Sequence, residues 1–144
     1  MADGVFNIAK GAAAEMFRDS GSAGIVLLMK ANETEATLVD YDDLAALFVP
    51  AGNTEADFSN YARKTGLTGT ITVDDTNNRV DIDIPDQTWS AATSGQSLTK
   101  LVVAYENAAA DATRVPLTHH DFTPTTDGSD LTVQFNASGF FRAS

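Results

Sequence analysis

Apolar and polar positions alternate most regularly between Gly69 and Trp89. Val80, Ile82 and Ile84 are separated by Asp81 and Asp83, the two-residue period of a strand that buries one face. The preceding stretch, Thr70 to Val73, is β-branched, and Asp74 to Asn78 supplies Asp, Thr and Asn, residues that tolerate turn geometry and bond their own backbone. The pattern predicts a β-hairpin with Val80, Ile82 and Ile84 on the core face and Asp81 and Asp83 on a solvated one. Trp89, the single tryptophan, closes the hairpin as a core anchor whose N–H needs a partner.

Before the hairpin the period changes. Over residues 4–18, Val5, Ile8, Ala9, Ala12, Ala13, Met16 and Phe17 fall on one side of a helical wheel, with Asn7, Lys10, Glu15 and Arg18 opposite. An amphipathic helix is expected, capped by Asp3 and stopped by Ser20-Gly21-Ser22. Gly24 to Lys30 is apolar without alternation, the signature of a strand buried on both faces, and it is the expected central strand. Ala31 to Thr37 is polar. Asp40 is placed to cap a short helix from Tyr41 to Phe48, ended by Pro50. Asn60 to Thr65 reads as a short strand with Tyr61 and Arg63 on one face.

After the hairpin, Leu98 to Tyr105 reads as a strong strand and Arg114 to Phe122 as an extended segment that Pro116 forces to an edge or a bulge. Thr125 to Asp130 is a turn by composition. Leu131, Val133 and Phe135 then alternate with Thr132, Gln134 and Asn136, a last one-faced strand. The expected fold is mainly β, antiparallel and sandwich or barrel-like, with an N-terminal amphipathic helix and one short internal helix. Residues 1–20 form the helical arm, and residues 21–144 one β-rich domain.

Composition narrows the function classes. A chain of 144 residues suits one hydrophobic core. Twenty acidic residues against nine basic ones give a net charge of −11. That charge opposes binding to nucleic acid and to anionic membranes, both of which reward concentrated positive charge. There is no cysteine, so neither disulfides nor thiolate metal sites hold the fold. The run Ala23 to Met29 is too short to span a bilayer, and the N-terminus lacks the basic start of a secretory signal.

Candidate chemistry is sparse. His119 and His120 are the only histidines; on a strand they face opposite ways, so one site would combine His119 with Asp121, fewer ligands than a metal site needs. The acidic pairs Asp42-Asp43, Asp74-Asp75 and Asp81/Asp83/Asp86 match no EF-hand, and a solvated strand face explains the alternating ones. No catalytic triad order, P-loop, dinucleotide fingerprint or HExxH is present. Neither enzymatic activity nor a cofactor or metal is expected.

Several phrases carry a resemblance: Ala2-Asp-Gly-Val-Phe-Asn-Ile-Ala-Lys-Gly11, Tyr41-Asp-Asp-Leu-Ala-Ala-Leu47, Asn60-Tyr-Ala-Arg-Lys64, Asp74-Asp-Thr-Asn-Asn-Arg79, Asp86-Gln-Thr-Trp89, Pro116-Leu-Thr-His-His-Asp-Phe122 and Gly139-Phe-Phe-Arg-Ala-Ser144. Together they resemble small virion structural proteins of tailed bacteriophages, particularly of actinobacteria, and most of all capsid decoration or minor capsid proteins. The resemblance implies assembly in the host cytoplasm, a place on the capsid exterior, the major capsid protein as partner, and a homo-oligomer, with a trimer favoured. On that reading Val5, Phe6, Ile8, Met16 and Phe17 of the arm are the candidate partner contacts, and deleting residues 1–20 should leave a folded domain. A tail, connector or fibre component is the alternative, and a carbohydrate-binding adhesin with an exposed aromatic platform the second.

Overall fold

Gly24–Ala31 is apolar almost throughout because both of its faces are covered: Ile25 to Met29 are all fully buried. A computed structural model describes residues 4–6, 15, 17, 19, 22–77 and 79–143. In chain order the strands are β1 (Gly4–Val5), β2 (Gly24–Ala31), β3 (Thr54–Glu55), β4 (Lys64–Leu67), β5 (Thr70–Asp74), β6 (Arg79–Asp83), β7 (Gln87–Trp89), β8 (Lys100–Glu106), β9 (Arg114–Asp121), β10 (Leu131–Val133) and β11 (Phe141–Ala143). Two one-turn helices, α1 (Glu35–Leu38) and α2 (Leu44–Leu47), lie between β2 and β3. The fold is mainly antiparallel β.

The largest sheet runs β1-β9-β8-β2-β3, with β4 also paired to β2; a second runs β11-β6-β5, and β10 pairs with β7. Every strand pair is antiparallel. On one face of β2, Ile25, Leu27 and Met29 pack with Phe6, Leu38, Leu44, Leu47 and Val102 in a smaller core. On the other, Val26 and Leu28 join a larger core to which the second sheet gives Ile82 and Phe141 and the β7/β10 pair gives Trp89 and Val133. All three sheets therefore share one apolar interior.

The hairpin forms as its alternation dictates. Thr70 pairs with Asp83, Val73 with Val80 and Asp74 with Arg79, and the Asp74 carboxylate accepts from the Asn77 backbone N–H at 3.2 Å and side-chain amide at 2.7 Å. Trp89 does not belong to it. Gln87–Trp89 pairs instead with Leu131–Val133, while the indole is buried as expected and donates to the Ala62 carbonyl at 2.7 Å. Pro116 sits at a bulge: Val103 faces Thr118 but Ala104 faces Pro116, leaving Leu117 as the extra residue, which a strand holding a proline requires.

The N-terminal helix expected from Gly4 does not start there. Gly4 and Val5 are extended and pair with His119 and Thr118, because two backbone positions laid against the edge of β9 satisfy groups that a helix start leaves open. Glu15, Phe17 and Asp19 have helical backbone, while Asp3 and residues 7–14 lie outside the described residues. The internal helix begins later than Asp40 would set it, since the cap is Asp43, whose carboxylate accepts from Ala46 N–H at 2.7 Å. α1 begins within the polar stretch Ala31 to Thr37, for which no element is expected. The strand expected from Asn60 begins only at Lys64.

Candidate functional site

Of the five candidate contacts in the arm, the described ones point inward. The Phe6 ring is fully buried in the smaller core, edge-on to His119 at 5.4 Å between centroids, and its N–H donates to the Leu117 carbonyl at 3.0 Å. Phe17 is buried in the larger core, edge-on to Tyr105 at 5.6 Å and Phe140 at 5.9 Å. Its ring lies so near Gly69 that a Cβ there would come within 2.1 Å, which is why position 69 carries no side chain. Of the arm's candidate contacts, these two rings are buried by their own chain. The Val5 side chain, Ile8 and Met16 lie outside the described residues. Deleting residues 1–20 would take one buried ring from each core.

Successive residues on β9 face opposite ways, and this separates the histidine candidates. His119 is buried against Phe6, whereas the His120 Nε2 lies 3.0 Å from Thr118 Oγ1. Asp121 accepts from Lys100 Nζ at 2.6 Å. Among the described residues no group of three or more His, Cys, Asp or Glu is placed to hold a metal ion.

The carboxylates are spent on structure. Asp81, expected on a solvated face, is only 8% exposed and receives the Arg142 guanidinium through Nε at 2.6 Å and Nη2 at 3.2 Å; Arg79 Nε stands 3.4 Å away. The Arg142 hydrogen bond, opposed by burial, holds the Asp81 carboxyl below its ordinary range. Asp83 accepts from Ile84 N–H and Asp86 from Phe135 N–H.

A larger polar network was invisible in the sequence because its members are scattered along it. The Tyr61 hydroxyl accepts from Leu28 N–H at 3.1 Å and donates to Glu55 at 2.6 Å. Arg63 grips Glu55 through two nitrogens at 2.7 Å each and Asp111 at 2.6 and 3.1 Å. Asp111 also receives Arg114 at 2.8 Å, and Arg114 holds Glu106. Burial, then the charge of Glu55, pushes the Tyr61 hydroxyl up. Hydrogen bonding to Glu55 raises Arg63 against its burial, and the Arg63 hydrogen bond lowers Asp111. Such bidentate pairs fix geometry. They tie β3 and the approach to β4 onto the β8/β9 ribbon.

Surface grooves are formed among the described residues, two of them lined in part by ionisable side chains. The first, about 420 Å³, is lined by Lys30, Asp57, Phe58 and the segment 93–97. There Asp57 accepts from Lys30 and Gln96 Nε2, each at 2.5 Å, while its N–H donates to Gln96 Oε1 at 3.0 Å. Hydrogen bonds from Lys30 and then Gln96 lower the Asp57 carboxyl, a poor state for a general base near neutral pH. The second, about 380 Å³, is lined by Leu101, His120, Phe122, Val133, Phe135 and Phe140 among others. Among the described residues no helix is long and apolar enough to cross a membrane. Comparison with family models, curated proteins and solved structures gives no match.

Proposed function

We propose that this chain is a non-enzymatic virion structural protein that binds the outer face of a phage capsid shell and stabilises it. The observation that carries the reading, beside the chain-wide resemblance, is the use made of ionisable groups: Asp81, Asp111, Glu55 and Lys100 are each locked into ion pairs that join separate segments of the chain, strand to strand at Asp81–Arg142 and Lys100–Asp121. A fold braced in this way suits a passive load-bearing part, and identical weak contacts repeated over a shell sum to strong attachment. Within this reading the shared interior of the three sheets is taken as sandwich-like packing, and the oligomer as a trimer.

With Phe6 and Phe17 buried, docking falls to the apolar side chains that remain in water. Val49 and Val73 are the described ones, 81% and 59% exposed. The adhesin alternative loses its best stacking platform, because Trp89 is buried. The test is co-sedimentation of the purified chain with shells assembled from the major capsid protein alone. Saturable binding that approaches the number of shell lattice sites supports the proposal; absence of binding at any stage of shell maturation overturns it.

A further inference from the structure

Among the described residues β5 is the longest strand with a single strand neighbour: β6 covers one edge and no strand lies on the other. Protein edges are ordinarily blunted by proline, by a bulge or by charge. Thr70-Ile71-Thr72-Val73 has none of these, its pairing with β6 is unbroken from Thr70 to Asp74, and Thr70, Thr72 and Val73 are exposed. An edge of this kind is a template for another strand.

We infer that the free edge of β5 pairs antiparallel with β5 of a second copy of this chain, about a two-fold axis at Thr72. The segment is self-complementary in that register. Thr72 faces Thr72 of the other copy, Ile71 faces Val73, and Thr70 faces Asp74. Opposing residues of an antiparallel pair lie on one face of the sheet, so the register must keep odd positions opposite odd ones, and this one does. It places β-branched residues opposite one another, a favourable cross-strand match. It also gives Val73, one of the two exposed large apolar side chains among the described residues, an apolar neighbour in Ile71, which already packs against the core.

Charge permits a second copy in this register. The chain carries −11, so copies repel unless their acids are kept apart locally. Here Asp74 and Asp75 at the hairpin tip fall opposite Thr70 and Gly69 of the other copy, and no two carboxylates on β5 face each other. The product is one six-stranded sheet, β11-β6-β5 continued into the same three strands reversed. A five-residue edge buries far less than the ~1,200 Å² of a stable interface, so the contact is weak in dilute solution and becomes effective where copies are crowded. It stands without the virion reading; on a shell it would join neighbouring trimers.

The chain has no cysteine, so single-cysteine variants report proximity without background. Thr72→Cys puts two thiols across the axis with Cβ atoms about 5 Å apart, whereas Thr70→Cys puts them roughly 14 Å apart. Both sites are exposed, and unchanged circular dichroism and unfolding midpoints check the fold of each variant. Under mild oxidation in the otherwise full chain, disulfide dimers of Thr72→Cys should form at least about tenfold faster than those of Thr70→Cys, as a preformed pair with high effective concentration requires. Thr72→Lys, with two ammonium groups meeting at the axis, should weaken self-association in sedimentation velocity at high concentration. Equal cross-linking of the two cysteine variants overturns the inference, whether the chain is then monomeric or associates by another surface. A failed virion assignment would leave this result untouched.

Discussion

Phe6→Ala tests whether the extreme N-terminus belongs to the hydrophobic interior. The ring is fully buried among Ile25, Leu27, Met29, Leu38, Leu44, Leu47 and Val102 and meets His119 edge-on. Transferring such a side chain out of water is worth about 1.5–3 kcal/mol. The cavity left by truncation, walled by a sheet that cannot collapse onto it, raises the loss to about 3–5 kcal/mol. A single domain holds about 5–15 kcal/mol in all, so one substitution removes a large share of stability. At about 2–4 °C per kcal/mol for a chain near this size, the melting temperature falls by roughly 6–20 °C. Urea unfolding followed by circular dichroism measures the effect, with an unchanged m-value showing that the same surface is exposed. Phe6→Leu, which keeps most of the apolar volume, should recover more than half of the loss. A loss below about 1 kcal/mol for Phe6→Ala would place the ring outside the core and refute the reasoning.

Three other outcomes follow. The Lys100 side chain is 3% exposed, while its partners Glu35 and Asp121 are 45% and 39% exposed. The double variant E35Q/D121N, which removes both carboxylates from a buried ammonium, should therefore cost about 3–5 kcal/mol and exceed Lys100→Met, after which the carboxylates stay hydrated; urea midpoints showing the reverse order would contradict this. Asp81 and Asp111 have folded-state carboxyls below the ordinary value, through Arg142 and Arg63 first. Their stabilisation is present above the unfolded value of about 3.9 and is lost as pH falls through the folded values. Stability should drop below about pH 5, less steeply for Asp111→Asn; equal slopes in the two chains would count against the Arg63 pairing. Gly139 has φ of +84° and a Cβ there would lie 2.1 Å from the Ile82 carbonyl oxygen, which also accepts from Phe140 N–H at 3.0 Å. Gly139→Ala should cost more than about 1 kcal/mol in thermal unfolding and loosen the β6–β11 pair in hydrogen exchange.

What the sequence reveals is what depends on neighbours in the chain. The β5–β6 hairpin shows itself because its alternation and turn chemistry agree, and β2 because a strand covered on both faces loses alternation altogether. Pro116 announces its bulge because its ring nitrogen has no hydrogen to donate. What escapes is set at long range. Val5 fits a helical stripe, yet Gly4–Val5 finds its hydrogen bonds on β9, more than a hundred positions away. Asp81 obeys the rule that polar alternates point to water until Arg142, 61 residues on, covers it. The network of Tyr61, Glu55, Arg63, Asp111 and Arg114 has no spacing to detect. Phe17, on the expected apolar stripe, illustrates the ambiguity of such a face, since it carries the same signal whether it packs on another protein or, as here, on its own domain.

The central claim is a place on the shell of a virion. On the proposed reading, the number and position of copies in purified phage particles whose genome carries this sequence, obtained by electron microscopy with quantitative mass spectrometry, test it most directly. A decoration protein occupies every equivalent position of the lattice, so on the order of hundreds of copies on the outer capsid surface are expected. About six or twelve copies at the portal or along the tail, or none in the particle, would contradict it.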